Sequence, residues 1–165
     1  MPTEQANQPG MTWLAFALMT VVSWGLYGVF LYTGQMAMGD PINGRYKAFL
    51  FVGVAYLLTA VLAPLAVLVA NGASWQMPGP GIVWSLVAGV MGAVGAFCVL
   101  LAFGAKGSPA VVMSIVFGGA PVVNAIVAVA LHPPAGGLAG VQWPFVLGIL
   151  MAAAGGCLVT LYRPH

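Results

Sequence analysis

The feature that most constrains this chain is a long apolar segment that recurs five times. A helix needs roughly 20 apolar residues to cross a hydrocarbon core about 30 Å thick. In lipid, every backbone N–H and C=O must be paired within its own helix or in a closed barrel. The segments lack the alternating polarity of barrel strands. The sequence therefore predicts an all-α membrane protein, a bundle of five transmembrane helices. The predicted domain comprises residues 12–162, with helices at 12–33, 48–70, 81–104, 109–131 and 143–162, a polar tail at 1–11 and a short end at 163–165.

Composition excludes a soluble domain. Of 165 residues, 62% are hydrophobic and 4% are charged, whereas an average soluble domain has about 25% charged residues. Small domains leave much of their surface exposed, so this chain would be insoluble outside a bilayer. The first segment is expected to be a permanent helix and not a secretory signal, because Glu4 and no Lys or Arg precedes it.

The few charges predict an orientation. With five crossings, all the basic residues fall on one face: Arg45, Lys47, Lys106 and Arg163. The other face has Glu4 and two loops, 71–80 and 132–142, without Lys or Arg. By the positive-inside rule, the N-terminus is expected outside and the C-terminus in the cytoplasm. Aromatic residues follow the same division, with Trp13, Trp75, Trp84 and Trp143 near the outer ends and Tyr32, Tyr46 and Tyr162 near the inner ends.

Small residues spaced four apart form stripes on two predicted helices. The third helix has Ala88, Gly92 and Ala96, and the fifth has Gly148, Ala152 and Gly156. Helices in lipid associate where small residues allow close backbone approach. Such stripes serve dimerisation or packing within one chain, and the pattern leaves both open.

The fourth helix contains an unusual combination of residues. Gly118, Gly119, Pro121 and Asn124 lie close to mid-membrane, where interrupted helices usually line a cavity. Pro64 and Pro121 predict kinks in the second and fourth helices. The pair Ser108-Pro109 predicts a capped start for the fourth helix.

Catalytic chemistry is not expected. No Asp, Glu, Lys or Arg lies in a predicted span, and His132 and His165 lie in a loop and at the terminus. Cys98 and Cys157 are interpreted as apolar packing residues. We expect no enzyme activity, catalytic residue, cofactor or metal site, and no nucleic acid partner. The polar groups within reach of a central cavity are Ser23, Trp24, Tyr27, Tyr56, Thr59, Ser85, Ser114 and Asn124.

Several short motifs resemble the drug/metabolite transporter superfamily, particularly its EamA-like group. They are Trp24-Gly25, the glycines Gly89, Gly92 and Gly95, the segment Ser108-Pro109-Ala110 after a basic turn, and Pro121-Val122. The resemblance covers the whole chain. After the fourth helix, where the family often has a Gly-Glu pair, this chain has Leu131-His132-Pro133-Pro134.

The resemblance implies half of a ten-helix transporter. Members commonly join two inverted five-helix repeats around a central cavity for small metabolites, so this chain would be one repeat in a bacterial cytoplasmic membrane. Trp24 and Gly25 would border the cavity and Pro121 would shape the fourth helix, although Trp24 could equally be packing bulk. The full set of substrate-lining candidates is Trp24, Gly25, Tyr27, Tyr56, Ser114, Pro121 and Asn124.

Two functional hypotheses remain. The first is a transporter of a small neutral or amphipathic metabolite, completed by further copies or by a partner chain. Because all the basic residues are on one face, insertion in both orientations is disfavoured, and inverted-repeat transport would need a partner of opposite orientation. The second is a structural or accessory subunit of a larger membrane complex.

Overall fold

The structure is a computed structural model that describes residues 11–134 and 136–162. In those two ranges the chain consists of helices joined by short loops and contains no strand. Five helices are long and apolar enough to cross a membrane: α1 Thr12–Ala37, α2 Gly44–Ala70, α3 Gly79–Gly104, α4 Pro109–Leu131 and α5 Trp143–Leu161. The prediction of five apolar helices is confirmed, and the helices indicate an integral membrane protein. Residues 1–10 of the predicted tail and the C-terminal end at 163–165, which contain Glu4 and Arg163, lie outside the described residues.

The first helical hairpin extends beyond its apolar segments. Helix α1 ends at Ala37 instead of residue 33, and α2 begins at Gly44 instead of residue 48. Polar side chains at the end of a membrane helix can reach the headgroup region, so the backbone stays helical where the apolar pattern stops. Gln35, which the sequence prediction placed outside the helix, therefore belongs to α1.

Helix α2 contains a wide turn directly before its proline. Residues Leu57–Leu62 are π-helical, and the N–H of Ala63 donates to the C=O of Leu58, five residues earlier. Pro64 has no N–H and its ring would clash with the carbonyl four residues before it. The wider turn accommodates the proline while the helix continues to Ala70.

Helix α4 runs without interruption through Pro121. Its start combines Ser108 in an extended conformation with Pro109 as first helical residue, but the Ser108 hydroxyl makes no capping hydrogen bond. The expected side-chain cap is therefore absent, and Ser108 contributes its carbonyl, which accepts from the N–H of Val112 at 3.0 Å.

The packed core lies at one end of the bundle. It brings together the C-terminal parts of α1 and α3 with the N-terminal parts of α2 and α4. The buried cluster consists of Leu31, Ala48, Val99, Leu100, Phe103 and Met113. Helices α1 and α4 cross at Gly28, where an added Cβ would lie 2.5 Å from the Met113 Cγ. We call this the charged end, because loops 38–43 and 105–108 beside it contain Asp40 and Lys106.

The opposite end of the bundle is open. Every residue from 53 to 70 on α2 is exposed, so the described residues leave much of this segment uncovered. Helix α5 packs chiefly on α4. The contact is closest at Gly156, where an added Cβ would lie 2.7 Å from the Ser114 C=O and 3.3 Å from the Gly118 Cα. The chain is thus a five-helix assembly held together at one end, with a tight α4–α5 pair.

Candidate functional site

A cleft at membrane depth separates α1 from α2. Its volume is about 520 Å³. Its walls, which are almost entirely apolar, include Leu26, Phe30 and Leu31 on α1 and Phe51, Val52 and Ala55 on α2. We call it the α1–α2 cleft.

Two of the predicted substrate-lining residues meet beside this cleft. The rings of Trp24 and Tyr27 are 5.5 Å apart between centroids and tilted by 52°. Tyr27 lines the cleft, whereas Tyr56 on α2 is exposed and does not belong to its lining. The structure therefore brings Trp24 and Tyr27 together on α1, beside the junction of α1 and α2.

The polar groups at this junction differ in their hydrogen bonding. The Ser23 hydroxyl donates to the C=O of Met19 at 2.9 Å, within its own helix. The Tyr27 hydroxyl is buried and has no hydrogen-bond partner among the residues described. An unpaired buried polar group is unfavourable and uncommon. Tyr27 therefore has a buried hydroxyl with unused hydrogen-bonding capacity.

The other substrate-lining candidates lie elsewhere. Ser114 lines a separate cleft between α4 and α5, and its hydroxyl donates to the C=O of Ala110 at 2.7 Å. Pro121 and Asn124 are exposed on α4. Gly25 has open space where a Cβ would be. The seven candidates thus do not form one cavity within the chain.

The two small-residue stripes also differ. On α5, Gly156 contacts α4, and the C=O of Ala152 would lie 3.2 Å from a Cβ added at Gly118, whereas Gly148 has open space beside it. On α3, Ala96 is 2% exposed, whereas Ala88 is exposed and Gly92 has nothing within 4 Å of an added Cβ. In both stripes the residue nearest the charged end packs within the chain, and the residues farthest from that end are uncovered.

Metal-ligating clusters are absent from the part of the chain that the structure describes. Cys98 and Cys157 are both free and exposed. The α1–α2 cleft contains one unpaired phenol and apolar walls, an arrangement suited to binding a small molecule.

Sequence reasoning missed one polar group. Gln35 is 8% exposed and its Oε1 has no hydrogen-bond partner in the described ranges. Its position beyond the apolar run concealed it. One signal in the sequence could have found it. If the first helix is continued past residue 33, Gln35 lies four residues after Leu31 and therefore on the same helix face.

Comparison with protein-family models, curated proteins and solved structures finds no match. The resemblance to the drug/metabolite transporter superfamily therefore rests on the short motifs alone, and the function has to be argued from the geometry of the chain.

Proposed function

We propose that this protein is a membrane transporter subunit that moves a small neutral or amphipathic molecule past the α1–α2 cleft. The cleft has the size range of small-molecule sites, which are concave, mostly apolar and equipped with a few placed polar groups. Transport is the activity that the motif resemblance implies, and a cleft lined mainly by apolar groups and one phenol, without Asp, Glu, Lys, Arg or His, suits a neutral or amphipathic substrate.

The observation that carries this proposal is the buried hydroxyl of Tyr27. It lies at membrane depth beside apolar walls and has no partner within the described residues. A substrate with a single hydrogen-bonding group would satisfy it, while the remainder of the substrate contacts Leu26, Phe30 and Phe51. A strongly charged substrate would meet no opposite charge there.

The pathway is completed by a second five-helix bundle. The open end exposes α2 from 53 to 70, and α5 packs chiefly on α4, so one chain does not enclose a channel. An inverted partner would place its helices across the α1–α2 cleft, as in transporters built from opposed repeats. In this arrangement the chain has its N-terminus outside and the charged end in the cytoplasm of a bacterial cell.

A flux assay tests the proposal. Wild-type protein in liposomes is screened by counterflow against neutral polyols, sugars, zwitterionic amino acids and amphipathic amines. For the compound that is carried, Tyr27→Phe is expected to raise the half-saturation concentration about fivefold, since one hydrogen bond to substrate contributes roughly 1 kcal/mol.

The matched control is Tyr162→Phe, which removes a hydroxyl from a residue that is 80% exposed at the end of α5. Its flux should equal that of the wild type. Absence of flux for every class, in vesicles that support flux by a ten-helix transporter, would reject the proposal. Equal effects of the two substitutions would reject the role of Tyr27.

A second candidate function is that of a non-transporting accessory subunit. The long exposed surface of α2 favours it, since a helix face of this length can serve as a docking surface for other membrane chains. Native mass spectrometry of protein extracted from its own membrane separates the two. Unrelated chains in fixed stoichiometry would favour the accessory function, and copies of this chain or a related five-helix chain would favour transport.

A further inference from the structure

A second cleft, of about 530 Å³, lies at the charged end between the last turns of α1 and α3 and loop 38–43. Unlike the α1–α2 cleft, it has polar and charged walls. Its lining includes Tyr32, Gln35, Asp40, Arg45 and Lys106. We call it the charged-end cleft.

Gln35 supplies the first indication of a ligand. This residue lines the cleft and is more than nine-tenths buried, yet its Oε1 has no donor within the described part of the chain. Buried amide oxygens are almost always paired. The missing partner is a hydrogen-bond donor, such as the hydroxyl of a bound molecule.

Arg45 supplies the second. Its guanidinium lies 5.4 Å from the centroid of the Tyr46 ring and packs against Gly104, where an added Cβ would collide with it. The described residues place no carboxylate within ion-pair distance of it. A guanidinium fixed in this way can form two parallel hydrogen bonds to a phosphate.

Asp40 does not cancel the positive charge of this cleft. Its Oδ2 lies 2.6 Å from the Lys47 Nζ, and its Oδ1 accepts from the N–H groups of Ile42 at 3.1 Å and Asn43 at 2.9 Å. Lys47 thus neutralises Asp40, while Arg45 and Lys106, also in the lining, have no carboxylate of the described residues within ion-pair distance. The cleft therefore retains net positive charge.

From this juxtaposition we propose that the charged-end cleft binds a phosphate ester that has a neighbouring hydroxyl, with Arg45 and Lys106 on the phosphate and the Gln35 oxygen accepting from the hydroxyl. Basic pockets between membrane helices are typical sites for anionic headgroups. The same chemistry occurs in a glycerol phosphate lipid headgroup and in a free polyol phosphate.

Titration of the purified full chain in neutral detergent tests this. The probes are dihexanoyl phosphatidylglycerol, glycerol 3-phosphate and, as a zwitterionic reference without a hydroxyl, dihexanoyl phosphatidylcholine. The readout is the dissociation constant, from thermophoresis or native mass spectrometry. If only the phosphatidylglycerol binds, the site takes a lipid. If only glycerol 3-phosphate binds, it takes a soluble ligand, and if both bind, it recognises the phosphate and hydroxyl that they share.

Three variants report on the contacts. Arg45→Gln is expected to weaken binding about tenfold, as for the loss of charge-assisted hydrogen bonds. Gln35→Leu removes the acceptor without changing charge and should weaken binding about fivefold.

Lys106→Gly should also weaken binding about fivefold. It should improve folding at the same time, because the backbone of Lys106 has a φ of 69° that suits glycine. Weaker binding by this better-folded variant cannot be attributed to misfolding.

The control is Tyr162→Phe, which removes an exposed hydroxyl at the end of α5, outside the lining of the cleft, and leaves net charge unchanged. It should bind as tightly as the wild type. The proposal is overturned if neither phosphate probe binds, if the choline lipid binds equally well, or if Lys106→Gly and Gln35→Leu both retain full affinity.

Discussion

At the scale of single residues, the turn that ends α3 shows a division of roles between two neighbours. Lys106 has a left-handed backbone, with a φ of 69°, although glycine usually occupies that position. Gly107 follows it, and a Cβ there would lie 2.6 Å from the Val112 Cγ2 and 2.9 Å from the Ala102 C=O. The second position therefore requires glycine for space, and the first has a lysine despite the backbone strain.

The strain at Lys106 is measurable. Lys106→Gly is expected to raise the free energy of unfolding by about 1 kcal/mol, because only glycine adopts this conformation without a steric cost. Thermal unfolding in detergent measures it. Lys106→Ala is the control, since it removes the same charge and keeps the Cβ, and it should bring no gain. Equal stabilisation by both would attribute the effect to charge.

Asp40 predicts a pH dependence of the first hairpin. Hydrogen bonds from the N–H of Asn43, from Lys47 and from the N–H of Ile42 lower the pKa of Asp40 to about 2. Because the folded pKa lies below the unfolded value of 3.8, this contribution to stability is present above pH 4 and is lost as the pH falls from about 4 to about 2.

The measurement is the unfolding midpoint as a function of pH. Asp40→Asn keeps an oxygen for the two N–H groups but has no proton to gain, so its midpoint should change less than that of the wild type between pH 4 and pH 2. An identical acid limb in both proteins would contradict the role of Asp40.

At the scale of elements, α4 and α5 form the tightest pair, and glycine is the reason. A Cβ at Gly156 would lie 2.7 Å from the Ser114 C=O, on the backbone of the facing helix. Gly156→Ala is expected to separate the two helices and lower the free energy of unfolding by about 1–3 kcal/mol.

The matched control is its neighbour Gly155, where an added Cβ meets nothing within 4 Å. Gly155→Ala should be neutral or slightly stabilising, because alanine is the better helix former. Unfolding of both variants in mixed micelles, followed by circular dichroism, compares them. Equal stability of the two variants would show that the α4–α5 contact has room for a methyl group at Gly156.

Sequence alone identified the helices better than their contacts. The apolar segments were sufficient for the number of helices, and residues 109–131 became α4 with the predicted bounds. The sequence prediction did not locate the π-helical turn at Leu57–Leu62, because Pro64 predicts a distortion but not its form. It also missed the charged-end cleft, which requires Gln35 and Arg45 to meet across two helices, a tertiary fact that hydropathy does not encode.

At the scale of the whole molecule, the uncovered half of α3 predicts self-association. Gly92 has nothing within 4 Å of an added Cβ and lies one turn from the exposed Ala88. If a second chain covers this face, Gly92→Leu should shift the detergent-solubilised protein from dimer to monomer without affecting its fold. Native mass spectrometry reports the shift.

Gly53→Leu is the control, since Gly53 is equally uncovered but does not belong to a small-residue stripe. A dimer that resists Gly92→Leu and dissociates with Gly53→Leu would place the contact on α2 instead. A monomeric wild type would show that other chains or lipids cover α3.

The wide turn in α2 has a consequence for how such chains diverge. A π-type hydrogen bond encloses one residue more than an α-type bond, so a single deletion within Leu57–Leu62 would be taken up at that turn, and residues 63–70 would keep the helix faces that they now present. Ala48 and its neighbours in the core precede the turn and would also stay in place. Related chains could therefore differ by one residue at this turn and still present the same surface to their partners.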